Sequence, residues 1–100
     1  MSTKFVIAEI LLFSEIRGGR ACMPVDSGYS PYVVVEGDSE FIDVIFIDVP
    51  EDAKPDSTFR QKIEIRYPNF VDLNLFKNGN GFQIFEGRKL IGNGVIVQQA

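Results

Sequence analysis

Few side chains in this sequence are of the types that carry out chemistry. The 100 residues include no histidine and a single cysteine, Cys22. Histidine is the commonest general base and metal ligand, and a cysteine thiol needs a neighbouring base or cation to become a good nucleophile. Zinc sites require several Cys or His ligands. The sequence therefore predicts neither a thiol nucleophile nor a zinc site, and one cysteine excludes an internal disulfide.

Carboxylates are the remaining candidates for acid–base chemistry. They gather in one stretch of the chain, as Asp43, Asp48, Glu51, Asp52 and Asp56. Two carboxylates on either side of a substrate can act as acid and base. Most of this set lies in the segment 50–57, which contains Pro50 and Pro55 and is expected to be a solvated loop. An enzyme is therefore the least favoured functional class, and we expect no cofactor.

The charge balance bears on the kind of partner. The formal net charge is −4, from 14 acidic and 10 basic residues. Nucleic-acid binding relies on Lys and Arg contacts to phosphates, so this balance disfavours it. Arg60, Lys62 and Arg66 nevertheless form a basic stripe that Glu64 interrupts. A solvated strand face is the first interpretation of this stripe, and an acidic partner or an RNA backbone is the second.

The sequence predicts neither a targeting segment nor a nucleotide-binding loop. The apolar run 5–13 contains Glu9, is too short for a membrane helix and is followed by no small-residue cleavage site. We therefore expect a cytoplasmic protein. The pattern Gly-x-x-x-x-Gly-Lys-Ser/Thr does not occur in the chain, so the sequence does not predict a GTPase.

The elements that must position these side chains are predicted to be strands. Runs rich in β-branched and aromatic residues, bounded by turn signals, cover residues 4–14, 32–36, 41–49, 58–67, 70–76, 82–85 and 89–98. The clearest is 58–67, where apolar and charged residues alternate. Gly87 predicts a turn with positive φ, and Gly92 and Gly94 predict a bulge or a close backbone approach. With no helical periodicity, this pattern is typical of one all-β domain, a barrel or a sandwich.

Three motifs in this chain resemble the third domain of elongation factor Tu. They are residues 7–14 followed by Gly18-Gly19-Arg20, then Gly28-Tyr29-Ser30-Pro31, and finally the Glu86-Gly87 turn followed by Gly92-Asn93-Gly94. Their order and approximate spacing are kept, and the likeness covers most of the chain. The resemblance implies a small closed six-stranded antiparallel β-barrel.

The same resemblance implies where partners bind. In that family the barrel carries no nucleotide chemistry, packs against the GTPase domain, contacts the T stem of aminoacyl-tRNA and helps bind the exchange factor. The matching contact positions are Arg20, Glu86 and Gly87, and Tyr32 stands where the family usually has glutamine. Ser30 stands in place of the arginine of the second motif.

These observations support three functional hypotheses. The leading one is a non-catalytic protein-binding module, linked to translation by the resemblance, with Arg20, Tyr32, Glu86 and Gly87 as surface contacts. The second is a tRNA- or RNA-binding module, which the acidic charge disfavours. The third is an acidic inhibitor of a basic partner protein. Structural interpretations stay open beside them: Arg20 could stack on Tyr29 or pair with Glu86, and Gly87 could serve only the turn.

Overall fold

A computed structural model describes residues 4–14 and 28–99 of the chain. Six strands follow one another in these ranges: β1 (Lys4–Leu12), β2 (Tyr32–Val35), β3 (Ile42–Ile47), β4 (Thr58–Ile65), β5 (Gly81–Glu86) and β6 (Lys89–Gln99). Six of the seven predicted strands match these to within a few residues at each end. The predicted loop 50–57 is also confirmed, since no strand falls between β3 and β4.

The six strands close into a barrel. Their order around it is β1-β4-β3-β2-β5-β6, with β6 returning to β1, and every pairing is antiparallel. Closure removes the free sheet edges that apolar strands would otherwise expose. The expected fold, a small closed six-stranded antiparallel β-barrel, is therefore confirmed.

Alternation along each strand fills the interior of the barrel. On β3 the side chains of Ile42, Val44 and Phe46 are buried, while the residues between them are partly exposed. On β4 the inward set contains Gln61, which is 1% exposed and is the one buried polar side chain among the described residues. Its Nε2 donates to the carbonyl oxygens of Ile47 at 2.7 Å and Lys62 at 2.9 Å. This amide therefore provides a partner for a backbone carbonyl at the end of β3.

Two glycines let β6 approach its neighbours closely. A Cβ on Gly92 would overlap the Leu11 carbonyl oxygen and lie 2.9 Å from Leu12 Cδ2 on β1. A Cβ on Gly94 would lie 2.5 Å from Phe82 Cζ and 2.8 Å from Ile10 Cδ1. The register of β5 against β6 shifts beside Gly92, between Ile84 and Phe85. The predicted close approach at these glycines is confirmed.

One end of the barrel is covered by a segment that was predicted to be a strand. Residues 70–76 do not pair with the sheet; the chain instead forms two 3-10 helices, Pro68–Phe70 and Leu73–Phe76. The Asp72 side chain accepts a hydrogen bond from the Asn74 amide and so caps the second of them. Phe76, 2% exposed, joins the core. The strand prediction failed because local capping and a buried phenylalanine outweighed the alternation of apolar residues.

Candidate protein-binding surface

Three of the four predicted contact residues lie at one end of neighbouring strands. Tyr32 begins β2 and its Cα partner is Phe85, the residue before Glu86 on β5. Gly87 follows in the turn to β6 and has φ +59, the positive value predicted for it. The structure thus brings Tyr32, Glu86 and Gly87 together. Arg20 and Cys22 lie outside the described residues.

Glu86 is held in place by a tyrosine. Its Oε2 accepts a hydrogen bond of 2.6 Å from the Tyr29 hydroxyl, and both side chains are partly buried. The Tyr29 ring packs edge-on against Phe46, with centroids 5.3 Å apart and planes at 82°. Charge-assisted hydrogen bonds of this length are among the stronger ones. The Glu86 carboxylate is therefore a fixed acceptor at the barrel rim, not a freely solvated turn residue.

Removing the Tyr29 hydroxyl should weaken the fold modestly. We expect Tyr29→Phe to lower the free energy of unfolding by about 1 kcal/mol, because the hydrogen bond to Glu86 is lost while the ring stays against Phe46. Urea denaturation of the purified chain measures this. Tyr67→Phe is the matched control, because Tyr67 is 50% exposed, and should change stability by less than about 0.5 kcal/mol. Equal stability of the two variants would contradict the structural role of this bond.

Beside this rim, three aromatic rings form a cluster on the outer wall of the barrel. The Phe41 ring lies 5.0 Å from that of Phe85 and 6.1 Å from that of Tyr32, centroid to centroid. Phe41 is 50% exposed and Tyr32 37%. Leu90, the Cα partner of Phe85, extends the cluster and is 37% exposed. We call these four residues the aromatic patch.

Only Tyr32 of this patch was predicted as a contact residue. Phe41 alternates with the buried Ile42 and shares its face with Asp43, which marks that face as the outer one. The neighbours of Phe41 on that face could not be found, because β2 pairs with β5, which is remote in sequence. A phenylalanine that shares a strand face with an aspartate is the sequence signal that could have predicted an exposed aromatic residue here.

A groove continues from the aromatic patch along the same side of the barrel. It has a volume of about 460 Å³ and lies between the start of β3 and the 3-10 helices that cover the barrel end. Phe41 forms one wall, and Tyr67 and Phe70 line it as well. Phe70 is 88% exposed. Four carboxylates also line this groove: Asp38, Glu40, Asp43 and Asp72.

Two of the five carboxylates that were candidates for acid–base chemistry have a backbone conformation typical of turns. Asp48 and Asp56 adopt positive φ, at 54° and 59°, as Asp does more readily than most residues in turns. Asp56 also receives a hydrogen bond from the Ser14 amide and donates its own amide to the Leu12 carbonyl. Over residues 4–14 and 28–99, no three His, Cys, Asp or Glu side chains are grouped to hold a metal ion.

The basic stripe lies on the outer face of β4. Arg60 and Lys62 are exposed, as the first interpretation expected, and the Lys62 Nζ lies 4.3 Å from the centroid of the Phe5 ring. Arg66 follows β4, and its Cζ lies 5.5 Å from the centroid of Tyr67. In the part of the chain that the structure covers, no helix has the length and apolar character needed to cross a bilayer.

No protein-family model matches this chain, and a comparison with curated proteins finds no significant match.

Proposed function

We propose that this barrel is a non-catalytic protein-binding module that docks its partner on the aromatic patch and on the rim formed by Glu86 and Gly87. The observation that carries the proposal is the Tyr32–Phe41–Phe85 ring cluster, in which Tyr32 and Phe41 stay exposed and Phe85 is half-buried although the barrel has a filled core. Contiguous exposed rings are costly to leave in water, and aromatic residues are enriched in the buried centres of protein interfaces. Arg20 belongs to the proposed contacts through the sequence resemblance.

The distribution of exposed apolar side chains supports this choice of surface. Among residues 4–14 and 28–99, the large apolar side chains that are exposed are Tyr32, Phe41, Tyr67, Phe70, Leu90 and Val95. All but Val95 lie in the aromatic patch or along the groove that continues from it. Val95 lies five residues beyond Leu90 on β6, where its Cα partners are Gly81 at the start of β5 and Glu9 on β1. The exposed apolar surface that a partner would bury is thus concentrated on one side of the molecule.

Kinship with the third domain of elongation factor Tu is part of the same proposal. The closed six-stranded antiparallel barrel and the positive φ of Gly87 fit that kinship. A role beside the translation machinery and a cytoplasmic location follow from it as proposals. In this view the barrel supplies a docking surface and no reactive groups.

The test is affinity capture with matched surface variants. A Tyr32→Ser/Phe41→Ser double variant should retain its partner at least about tenfold less than the parent chain, because aromatic anchors dominate the binding energy of interfaces. Capture from a lysate of the source cells, quantified by mass spectrometry, measures the loss. Val95→Ser is the control, because it removes an apolar side chain of similar exposure, 44%, from another face.

The rim is tested in the same assay. Arg20→Ala and Glu86→Ala should each reduce capture. Tyr29→Phe removes the hydrogen bond to Glu86 but keeps the carboxylate, so it distinguishes the effect of losing the carboxylate from the effect of losing the bond. All variants are first checked for a cooperative unfolding transition. If the Tyr32→Ser/Phe41→Ser variant captures the same proteins as Val95→Ser, in the same amounts, the aromatic patch is not the docking surface.

A further inference from the structure

We infer that the groove beside Phe41 takes a cationic segment of the partner protein, in which Arg or Lys side chains alternate with apolar ones. The inference rests on the proposed binding function and specifies the chemistry of the partner. The groove adjoins the aromatic patch through Phe41, which belongs to both. A partner that covers the patch would therefore extend into the groove.

The charge of the groove selects a cationic occupant. Asp38, Glu40, Asp43 and Asp72 line it, and no Lys or Arg is among the described residues that do. Like charges gathered in a concave surface strengthen the local potential and attract ligands of opposite sign. Since no three of the described acidic residues converge on a metal-binding point, these carboxylates suit an extended ligand better than a single ion.

The aromatic walls add a second feature that favours guanidinium or ammonium groups. The faces of Phe and Tyr rings attract cations. Tyr67 already has one such contact, because the Arg66 guanidinium lies over its ring at 5.5 Å. Phe70, 88% exposed, offers a ring that stands largely in water. Apolar side chains of the partner would cover these rings between the charged contacts. Phosphate-rich RNA would instead meet four carboxylates at close range.

The probe for this inference is a synthetic peptide of alternating arginine and leucine, titrated into the nitrogen-15-labelled chain. Amide chemical shifts should change at residues 38–43 and 67–75, and the affinity should fall as salt rises, because exposed charges are screened. A peptide with glutamate in place of arginine should not bind. Total tRNA, added at low salt, should leave the same amides unchanged.

Two matched double variants separate the groove from the general acidity of the chain. Asp43→Asn/Asp72→Asn should weaken binding of the arginine–leucine peptide about fivefold or more, since it removes two of the four carboxylate charges that line the groove. Asparagine caps helices as well as aspartate does, so the side chain at position 72 can still accept from the Asn74 amide. Glu51→Gln/Asp52→Asn removes the same charge from exposed positions outside the groove and should leave the affinity unchanged.

The inference is overturned if both double variants weaken binding equally, if the shift changes spread over the whole surface, or if tRNA shifts the groove amides. Its failure is distinguishable from failure of the proposed function. Tyr32 does not line the groove. If Tyr32→Ser abolishes capture while the arginine–leucine peptide does not bind, the binding module stands and the cationic occupant is wrong. If Tyr32→Ser captures normally and the peptide binds in the groove, the aromatic patch is wrong.

Discussion

Gly92→Ala is expected to destabilise the barrel by about 3 kcal/mol. The added Cβ would overlap the Leu11 carbonyl oxygen and would lie 3.1 Å from Leu12 Cα. Both are backbone atoms of β1, which pairs with β6 at Leu12 and Gly92. This overlap can be relieved only if β1 and β6 move apart, and the pairing of these two strands closes the barrel. Thermal unfolding should show a midpoint lower by roughly 12–24 °C.

Gly81→Ala is the matched control for this prediction. Gly81 is also in a strand, but the nearest atom to its Cβ would be Glu36 Oε2 at 3.1 Å, the end of a flexible and exposed side chain. We expect its stability to stay within about 1 kcal/mol of the parent chain. If the two variants unfold at the same temperature, the close approach of β1 and β6 at Gly92 is not as described.

Gln61→Glu should cost about 3–5 kcal/mol at neutral pH, since it places a carboxylate in the core without a compensating charge. The amide nitrogen that it replaces donates to the carbonyl oxygens of Ile47 and Lys62, which would now face a negative oxygen. The oxygen of the Gln61 amide, Oε1, has no hydrogen-bond donor within residues 4–14 and 28–99. Burial and repulsion both raise the pKa of the introduced carboxyl in the folded state.

The raised pKa makes this cost depend on pH. Below the pKa of the unfolded chain, about 4.3 for a glutamate, the carboxyl is protonated in both states and the charge penalty is absent. As pH rises from there, the unfolded state loses the proton first, so stability falls until the pKa of the folded state is passed. Denaturant midpoints measured from about pH 4 to pH 8 report this window.

Gln61→Met is the control, because it removes the same two hydrogen bonds without adding a titrating group. The two variants should have similar stability at acid pH and diverge as pH rises, whatever the acid sensitivity of the parent chain. A gap between them that stays constant across the pH range would show that the introduced carboxyl does not lie in the core.

Much of the barrel follows from local sequence patterns. On β4, the alternation of Phe59, Gln61 and Ile63 with charged residues predicted which side chains face inward, and all three are buried. The same pattern predicts that Tyr67 faces inward. This prediction is wrong, because β4 ends at Ile65 and Tyr67 is 50% exposed. Pro68 begins the first 3-10 helix just beyond it, so the strand period no longer determines which way side chains point.

The surface was less predictable than the core. Tyr32, Glu86 and Gly87 were named through a sequence resemblance, and strand pairing does bring them together. Phe85 was missed because β2 and β5 pair across a large separation in sequence, which local patterns do not encode. The groove was missed for a related reason. It depends on the 3-10 helices, and the alternation of apolar residues had predicted a strand there.

The position of β1 has a consequence for how a ribosome can make this protein. Its hydrogen-bonding partners are β4 and β6, so neither of its edges is satisfied by the strand that follows it in the chain. A nascent chain exposes both edges of this apolar segment until β4 emerges, and one edge until β6 does. Such long-range pairing slows folding and leaves unpaired edges open to aggregation. The barrel can therefore close only after β6 has been translated, since β6 pairs with β1.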